Sequence, residues 1–140
     1  MPFFFFGTLM DRDVLRIVLG RRVGENELAP ARLTGYRRVR TATQPYPMLK
    51  PDPDGVVEGM LLMEPSSRDE ARILHFEDAE YVERRTTVRS ASDRAVEARV
   101  FYALAEMGET DEPWEPDSWV SRHKAAFLPQ CREWMRDCPM

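Results

Sequence analysis

Apolar and polar positions follow two different periods along this chain, and the periods predict its elements. Residues 3–6 are four consecutive phenylalanines, which is typical of a short strand buried on both faces. Apolar residues then recur at helical spacing: Val14, Leu15, Val18 and Leu19. Asp11 is placed to cap this helix and Gly20 to end it. The pattern therefore predicts strand, tight turn and helix.

Extended segments dominate the next part of the chain. Residues 31–40 are predicted to be extended, with a bulge or bend at Thr34-Gly35. Residues 42–55 contain four prolines and end in Asp54-Gly55, which predicts a long ordered loop, and such loops often bind ligands. Residues 56–63 are apolar on nearly both faces and predict a central strand. Gly59 within it indicates a bulge, a bend or close contact with another backbone.

The second half of the chain predicts two further helices and two strands. A helix of about ten residues is expected to begin at one of two overlapping capping boxes, of which Ser67 with Glu70 is the better, and to end near residues 76–78. Residues 81–88 and 96–104 predict strands joined by a turn. The acidic residues 106–116 predict a surface connection. Asp117 is expected to cap the last helix, with a kink or restart at Pro129.

Length, charge and cysteine content exclude several classes. The 140 residues fit one domain, 1–140, with a C-terminal helical segment from about 117. A net charge of −4, with carboxylates and arginines interleaved, argues against a nucleic-acid partner. Cys131 and Cys138 are too far apart along a helix for a disulfide, so we expect reduced thiols and a cytoplasmic protein. We expect no membrane segment.

Cofactor motifs are missing from the sequence. His75 and His123 have no nearby cysteine or histidine cluster, which argues against a zinc site, and we expect no bound metal. Neither a phosphate-binding loop nor a dinucleotide fingerprint occurs, so no cofactor is expected. The basic segment 36–40 is interpreted as a solvated strand face. A protein-binding surface formed by its arginines is an alternative, and it predicts a barrel without a cavity.

Glu77 is the strongest candidate for proton transfer. It lies where the second helix is expected to end, and the C-terminal end of a helix is unfavourable for a carboxylate. Asp78 and Glu80 add like charges, and burial beside Phe76 acts in the same direction, so we expect the pKa of Glu77 to be raised toward that of a general base. A solvated acidic helix end is the competing interpretation.

The turn after the first strand is the candidate for anion binding. Gly7 permits a close backbone approach, and the following backbone N–H groups can point at an anion. Many strands end in this way for packing alone, so the turn by itself does not show whether it binds an anion or only serves packing.

Four motifs, in this order, resemble those of the γ-glutamylcyclotransferase-like family. They are Phe5-Phe6-Gly7-Thr8-Leu9-Met10, Tyr46-Pro47-Met48, Val57-Glu58-Gly59 and Ile73-Leu74-His75-Phe76-Glu77-Asp78-Ala79-Glu80-Tyr81. The match spans residues 2 to about 104. The resemblance implies an α+β fold in which a small mixed β-barrel is flanked by helices.

The resemblance also implies a reaction and a site. The substrate's α-amine attacks its own γ-carbonyl and releases 5-oxoproline from a small γ-glutamyl amine or amino acid, without a cofactor. Glu77 is implied as the acid/base. The segment Phe6, Gly7, Thr8 and Leu9 is implied to bind the substrate's α-carboxylate or the developing oxyanion, and Tyr46 and Tyr81 to form pocket walls.

Three residues depart from the family's motifs. Phe6 replaces the usual tyrosine, Leu74 the usual aspartate, and Asp78 the glycine that usually follows the glutamate. The last change alters backbone freedom and charge beside Glu77. An alternative is therefore a non-enzymatic small-molecule-binding domain that retains the same pocket.

Overall fold

The computed structural model describes residues 1–42, 47–78, 81–103 and 108–138. Within these ranges the strands are β1 Phe3–Phe5, β2 Leu28–Thr41, β3 Pro47–Leu62, β4 Tyr81–Ser90, β5 Ala95–Ala103 and β6 Glu109–Pro113. The α-helices are α1 Arg12–Leu19, α2 Ser67–Glu77, α3 Pro116–Arg122 and α4 Lys124–Arg136. Two 3-10 turns, Thr8–Met10 and Glu25–Glu27, precede α1 and β2. None of the helices in these ranges is both long and apolar enough to cross a membrane.

Five of the described strands close into a mixed barrel. The order is β3-β1-β5-β4-β2, and pairing of β2 with β3 completes the ring, while β6 pairs with β2 as an extra strand. β1 is parallel to β5 and antiparallel to β3. The expected small mixed barrel flanked by helices is confirmed.

β1 is buried on both faces because it separates two cores. Phe4 and Phe6 pack with strand residues such as Leu33 inside the barrel. Phe3 and Phe5 pack in a second core that includes residues of the helices. The three residues of β1 are at most 3% exposed, so the prediction made from the phenylalanine run is confirmed.

The two glycines that interrupt the predicted strands have different roles. At Gly35 the backbone φ is +87°, and the β2–β3 register shifts between Thr34 and Tyr36, which confirms the predicted bulge. At Gly59 a Cβ atom would lie 2.4 Å from the Phe5 carbonyl oxygen and 2.5 Å from the Phe4 ring. Close contact with another backbone is therefore the interpretation that the structure supports for Gly59.

The predicted loop over residues 42–55 is wrong for its larger part, because β3 begins at Pro47. Pairing with β2 runs from Leu28↔Leu62 to Arg40↔Pro47. The prolines at 47, 51 and 53 are separated by even numbers, so their missing N–H groups lie on one side of the strand. A strand tolerates proline where the missing N–H group is not needed for pairing. The three prolines meet this condition on the side of β1, because β1 pairs with β3 only at Met60–Leu62.

The predicted surface connection over residues 106–116 is also corrected, because residues 109–113 form β6. The acidic side chains of β6 pair with cations of β2 and β3: Arg40 with Glu112 at 3.1 Å, Arg37 with Asp111 at 3.2 Å, and Lys50 with Glu109 at 2.7 Å. Exposed pairs of this kind contribute little energy each. Their complementary pattern nevertheless explains why an acidic segment lies along the basic strand.

Helix α1 agrees with its prediction at both ends, whereas α2 begins one residue earlier than its better capping box. The Asp11 carboxylate accepts from the N–H groups of Asp13 and Val14, and Gly20 ends α1 with φ +68°. In α2 the reciprocal capping box uses Ser66 and Asp69. Asp69 is 1% exposed and forms an ion pair of 2.8 Å with Arg21. This tertiary contact therefore determines which residues cap α2.

The C-terminal helical segment divides at a different residue from the one predicted. Glu115 is the N-cap of α3, Pro116 occupies the first turn, and Asp117 lies inside the helix. The interruption falls at His123, between α3 and α4, and α4 continues through Pro129. Cys138 lies beyond the end of α4 rather than on the same helix as Cys131, and both cysteines are free thiols.

Candidate functional site

A cavity of about 290 Å³ lies where β1, α2, β4 and α4 meet. The predicted site residues Phe6, Gly7, Thr8, Leu9, Glu77 and Tyr81 all line it. Other lining residues are Phe4, Phe5, Pro47, Phe76, Asp78, Phe101, Phe127, Gln130, Cys131 and Trp134. Tyr46 lies outside the described residues. Segments that are far apart in sequence are thus brought to one site.

The turn after β1 forms one wall of the cavity. Gly7 precedes the 3-10 turn Thr8–Met10, whose hydrogen bond runs from the Met10 N–H to the Gly7 carbonyl at 3.0 Å. The Thr8 and Leu9 N–H groups come before that bond, so the turn itself supplies no acceptor for them. Thr8 and Leu9 line the cavity, so their N–H groups are the candidate backbone donors of this wall.

Arg38 anchors the same turn from β2. Its guanidinium donates to the Phe6 carbonyl at 3.0 Å and to the Glu58 carbonyl at 3.1 Å. It also lies over the Trp114 ring, with 5.8 Å between the guanidinium carbon and the ring centroid. Arg37 and Arg40 pair with β6. All three arginines therefore have partners within the chain, which argues against the protein-binding hypothesis for this strand.

Pro47 connects the turn to Tyr81. A Cβ atom at Gly7 would lie 2.9 Å from the Pro47 Cγ and 3.1 Å from its Cδ. The Tyr81 hydroxyl donates to the Pro47 carbonyl at 3.1 Å. Glycine at position 7 thus allows Pro47 to pack against the turn, and Tyr81 holds it there while lining the cavity.

Glu77 is the last residue of α2, as predicted, and its side chain is half-buried at the cavity wall. Asp78 follows with φ +50° and ψ −145°, and its N–H bonds to the Leu74 carbonyl. This backbone region is almost restricted to glycine, because a Cβ atom is strained there. The chain therefore holds a strained aspartate directly after Glu77.

We expect Asp78→Gly to stabilise the protein by about 1 kcal/mol, since it removes the strain at positive φ. Chemical denaturation would measure the free energy of unfolding. Asp137→Gly is the matched control, because Asp137 also follows a helix but has φ −81°. The control should be neutral or destabilising, and an equal gain in both variants would contradict the explanation.

Helix α4 supplies a wall that the sequence reasoning did not assign to the site: Phe127, Gln130, Cys131 and Trp134. These positions have the spacing i, i+3, i+4 and i+7, which identifies one helix face but not what that face contacts. Burial raises the pKa of the Cys131 thiol to about 11, so it is protonated near neutral pH and is a poor nucleophile.

The tryptophans and His75 differ in their surroundings. Trp114 and Trp119 lie in the core, 5% and 2% exposed. Trp134 is 44% exposed and lines the cavity. Its indole N–H donates to the His75 carbonyl at 3.1 Å, and the two rings lie 5.5 Å apart. His75 is therefore a packing residue that joins α2 to α4, and it does not line the cavity.

Comparison with known proteins identifies the family. The sequence model of the family described as "Gamma-glutamyl cyclotransferase, AIG2-like" matches residues 3–121. The chain belongs to this family. Relatives from Arabidopsis thaliana include AIG2-like protein D, 28% identical over 139 residues that cover 96% of this chain and 88% of the relative. AIG2-like protein A is 29% identical over 130 residues, covering 89% and 75%.

Solved structures of other proteins share the fold. A solution structure from Arabidopsis thaliana has a TM-score of 0.66 at 21% identity and covers 97% of this chain and 84% of its own. A structure titled "Gamma-glutamyl cyclotransferase" has a TM-score of 0.57 at 12% identity, with coverage of 94% and 86%. At these identities the likeness shows the fold alone.

The three departures from the cyclotransferase motifs occupy different surroundings. Phe6 and Asp78 line the cavity, so they change its chemistry directly. Phe6 is 6% exposed and brings an apolar ring where the family usually has a hydroxyl. Leu74 is 50% exposed and is not among the lining residues. Two of the three changes therefore bear on the site.

Proposed function

We propose that this protein is a γ-glutamylcyclotransferase that releases 5-oxoproline from a small γ-glutamyl amine or amino acid. The observation that carries the proposal is that Glu77 and the turn at residues 7–9 line one cavity. A carboxyl group for proton transfer and backbone donors for an anion are the two requirements of this reaction. The family membership supports the same chemistry.

In this proposal the turn binds the negatively charged end of the substrate. The N–H groups of Thr8 and Leu9, with the Thr8 hydroxyl, receive the α-carboxylate or the oxyanion that forms at the γ-carbonyl. Phe6 has no hydroxyl to add, so the backbone and Thr8 provide the polar contacts on this wall. Arg38 supports this wall indirectly, because its guanidinium holds the Phe6 carbonyl by a hydrogen bond.

Glu77 transfers the protons. Its carboxylate takes a proton from the substrate's α-ammonium group, and the freed amine attacks the γ-carbonyl carbon to close a five-membered ring. The carboxylic acid then donates that proton to the amide nitrogen as the carbon–nitrogen bond breaks, and the ring nitrogen passes its second proton to the departing amine. The products are 5-oxoproline and the amine in its ammonium form. Ring closure within one molecule already has the advantage of proximity, so no enzyme nucleophile is needed.

Incubation of the purified protein with a panel of γ-glutamyl amines and γ-glutamyl amino acids, with chromatographic detection of 5-oxoproline, tests the proposal. Release of 5-oxoproline from at least one compound, in proportion to enzyme concentration, is expected. Calorimetric binding without release from any compound would instead support the alternative of a small-molecule-binding domain that lacks turnover.

We expect Gly7→Ala to lower kcat/KM for 5-oxoproline release by about 10- to 100-fold, because the added methyl group displaces Pro47 and shifts the turn. A Cβ atom at this position would lie 2.9 Å from Pro47. The thermal midpoint of unfolding should change much less, because a side chain rather than backbone blocks the position. Gly24→Ala is the control, since its nearest neighbour would be 3.5 Å away. Unchanged kinetics in Gly7→Ala would contradict this role of Pro47.

A further inference from the structure

Helix α4 contacts both halves of the proposed site. Lys124, its first residue, pairs with Asp11, which follows the turn at residues 7–9. Trp134, in its last turn, contacts His75, which lies two residues before Glu77. The family model matches residues 3–121 and ends before α4. The family match therefore does not explain how this wall of the cavity is held.

Lys124 forms a double ion pair with the start of α1. Its Nζ atom lies 2.9 Å from Asp11 Oδ2 and 2.8 Å from Asp13 Oδ2. The Lys124 and Asp11 side chains are 23% and 12% exposed, so solvent screens this pair only in part. Hydrogen bonds to Asp13 and Asp11 raise the pKa of the Lys124 ammonium group. The contact is therefore between charged groups at neutral pH.

Asp11 connects this ion pair to the turn. Its N–H donates to the Thr8 carbonyl at 3.0 Å, directly after the bond that closes the 3-10 turn. Its Oδ1 atom accepts from the N–H groups of Asp13 and Val14 and so caps α1. One residue thus fixes the turn, the start of α1 and the start of α4 relative to one another.

The other end of α1 is held separately, by α2. Arg72 Nε donates to the Val18 carbonyl at 2.6 Å, and Arg68 Nη1 donates to the Leu19 carbonyl at 3.0 Å. The eight residues of α1 span about 12 Å. Without the Lys124 contact, the start of α1 could therefore shift while its end stays against α2.

The contact of α4 with α2 is reciprocal. His75 Nε2 lies 3.1 Å from the Trp134 carbonyl oxygen, and the Trp134 indole N–H donates to the His75 carbonyl at 3.1 Å. This pair attaches the last turn of α4 to the helix end that carries Glu77. Helix α4 is therefore fixed to the turn at its start and to the Glu77 helix near its end.

We propose that Lys124 is a positioning residue, whose contact with Asp11 sets the separation between Glu77 and the N–H groups of the turn. Lys124 is not among the residues that line the cavity, so it acts through Asp11. A displacement of about 1 Å between reacting groups can lower a rate by about 100-fold, so a small shift of the turn is sufficient. The catalytic consequence rests on the proposed cyclotransferase function.

Lys124→Met should lower kcat/KM for 5-oxoproline release by about tenfold. Lys124→Arg keeps the positive charge and the pairing with carboxylates, and it should remain within about threefold of the unmodified protein. Arg122→Met is the matched control, because it removes the same charge from an exposed position outside the cavity lining. Circular dichroism verifies the folding of each variant. Equal activities of Lys124→Met and Arg122→Met would overturn the inference.

Asp11→Asn tests whether Asp11 is the partner through which Lys124 acts. Asparagine still caps α1, but it carries no charge to pair with Lys124. Since either substitution breaks the same contact, the double variant should be within about twofold of the slower single variant. Effects on kcat/KM that simply multiply in the double variant would contradict the proposed connection.

Cys131 reports on the position of α4 without any turnover. It lies seven residues after Lys124, on the same helix face, and is 2% exposed. A bulky aromatic disulfide therefore reaches its thiol only when α4 moves. In a Cys138→Ser background, Lys124→Met should raise the rate of thiol reaction by about tenfold, and Arg122→Met should not change it. An unchanged rate in Lys124→Met would overturn the inference.

The two assays separate failure of this inference from failure of the proposed function. If no compound of the panel is converted, the proposed function fails, and the thiol reaction still decides whether Lys124 holds α4 against the turn. If 5-oxoproline is released with unchanged kcat/KM in Lys124→Met, the proposed function stands and the positioning role is wrong.

Discussion

We expect Glu77→Gln to lower kcat for 5-oxoproline release by about 10²- to 10⁴-fold, the range typical of a general acid or base. Glutamine keeps the size of the side chain and its position at the end of α2, but it cannot accept the ammonium proton or return it to the leaving amine. Steady-state kinetics with the best substrate of the panel measures the effect. Binding of that substrate, followed by calorimetry, should weaken much less than kcat.

Glu97→Gln is the charge-matched control for this variant. Glu97 lies on an exposed position of β5 and outside the cavity lining, so its replacement removes the same charge without touching the site. Its kcat should equal that of the unmodified protein. If Glu77→Gln retained full activity, the proposed proton transfer would be eliminated. A parallel loss in both variants would show an effect of net charge instead.

The largest effect on stability is expected from Gly59→Ala, with a loss of about 3 kcal/mol in the free energy of unfolding. The new methyl carbon would lie 2.4 Å from the Phe5 carbonyl oxygen and 2.5 Å from a Phe4 ring carbon. The carbonyl cannot move away freely, because Phe5 pairs with Met60 in the barrel. The Phe4 ring is 1% exposed and has little room to rotate. Urea denaturation followed by circular dichroism measures the change.

Gly24→Ala supplies the comparison, because an added methyl group there meets nothing closer than 3.5 Å. Its φ of −75° also suits alanine, so the substitution should be neutral or slightly stabilising. Comparable losses at both positions would contradict the close-contact explanation for Gly59. Should Gly59→Ala fail to fold, the temperature dependence of soluble expression in the two variants provides the same comparison.

Gly59 also connects stability to the site. β1 lies directly against β3 at this glycine, and the turn that begins at Gly7 follows β1. A displacement of β1 would therefore move the Thr8 and Leu9 N–H groups relative to Glu77, which is fixed on α2. The two glycines affect the same cavity wall in different ways. Gly59 allows β1 to lie close to β3, and Gly7 leaves room for the Pro47 side chain.

Local patterns predicted the elements whose residues interact within one segment. The Asp11 cap and Gly20 stop defined α1 because capping involves neighbours in sequence. Helix α2 ends at Glu77, within the predicted range of residues 76–78. The phenylalanine run predicted burial on both faces. For the helix ends the physical cause lies within a few residues, whereas Gly59 indicated a bulge, a bend or a close contact, and only the approach of β1 decided for the contact.

Other predictions failed where a partner far away in sequence decides the structure. The proline-rich residues from 47 onward form a strand because β2 pairs with them. The acidic residues 109–113 also form a strand, because they pair with β2 and basic side chains of the barrel face them. The cap of α2 was shifted by Arg21. Proline content and acidity favour loops on average, but hydrogen-bonded pairing overrides these preferences.

For the site, the sequence by itself singled out the Gly7 turn and Glu77, through a strand end, a helix end and four ordered motifs. The family assignment agrees with this reading. Tertiary structure alone decided that both line one cavity, and that Phe127, Gln130 and Trp134 of α4 line it as well. The reason is physical: a helix pattern shows which face is apolar, but only packing determines what that face covers.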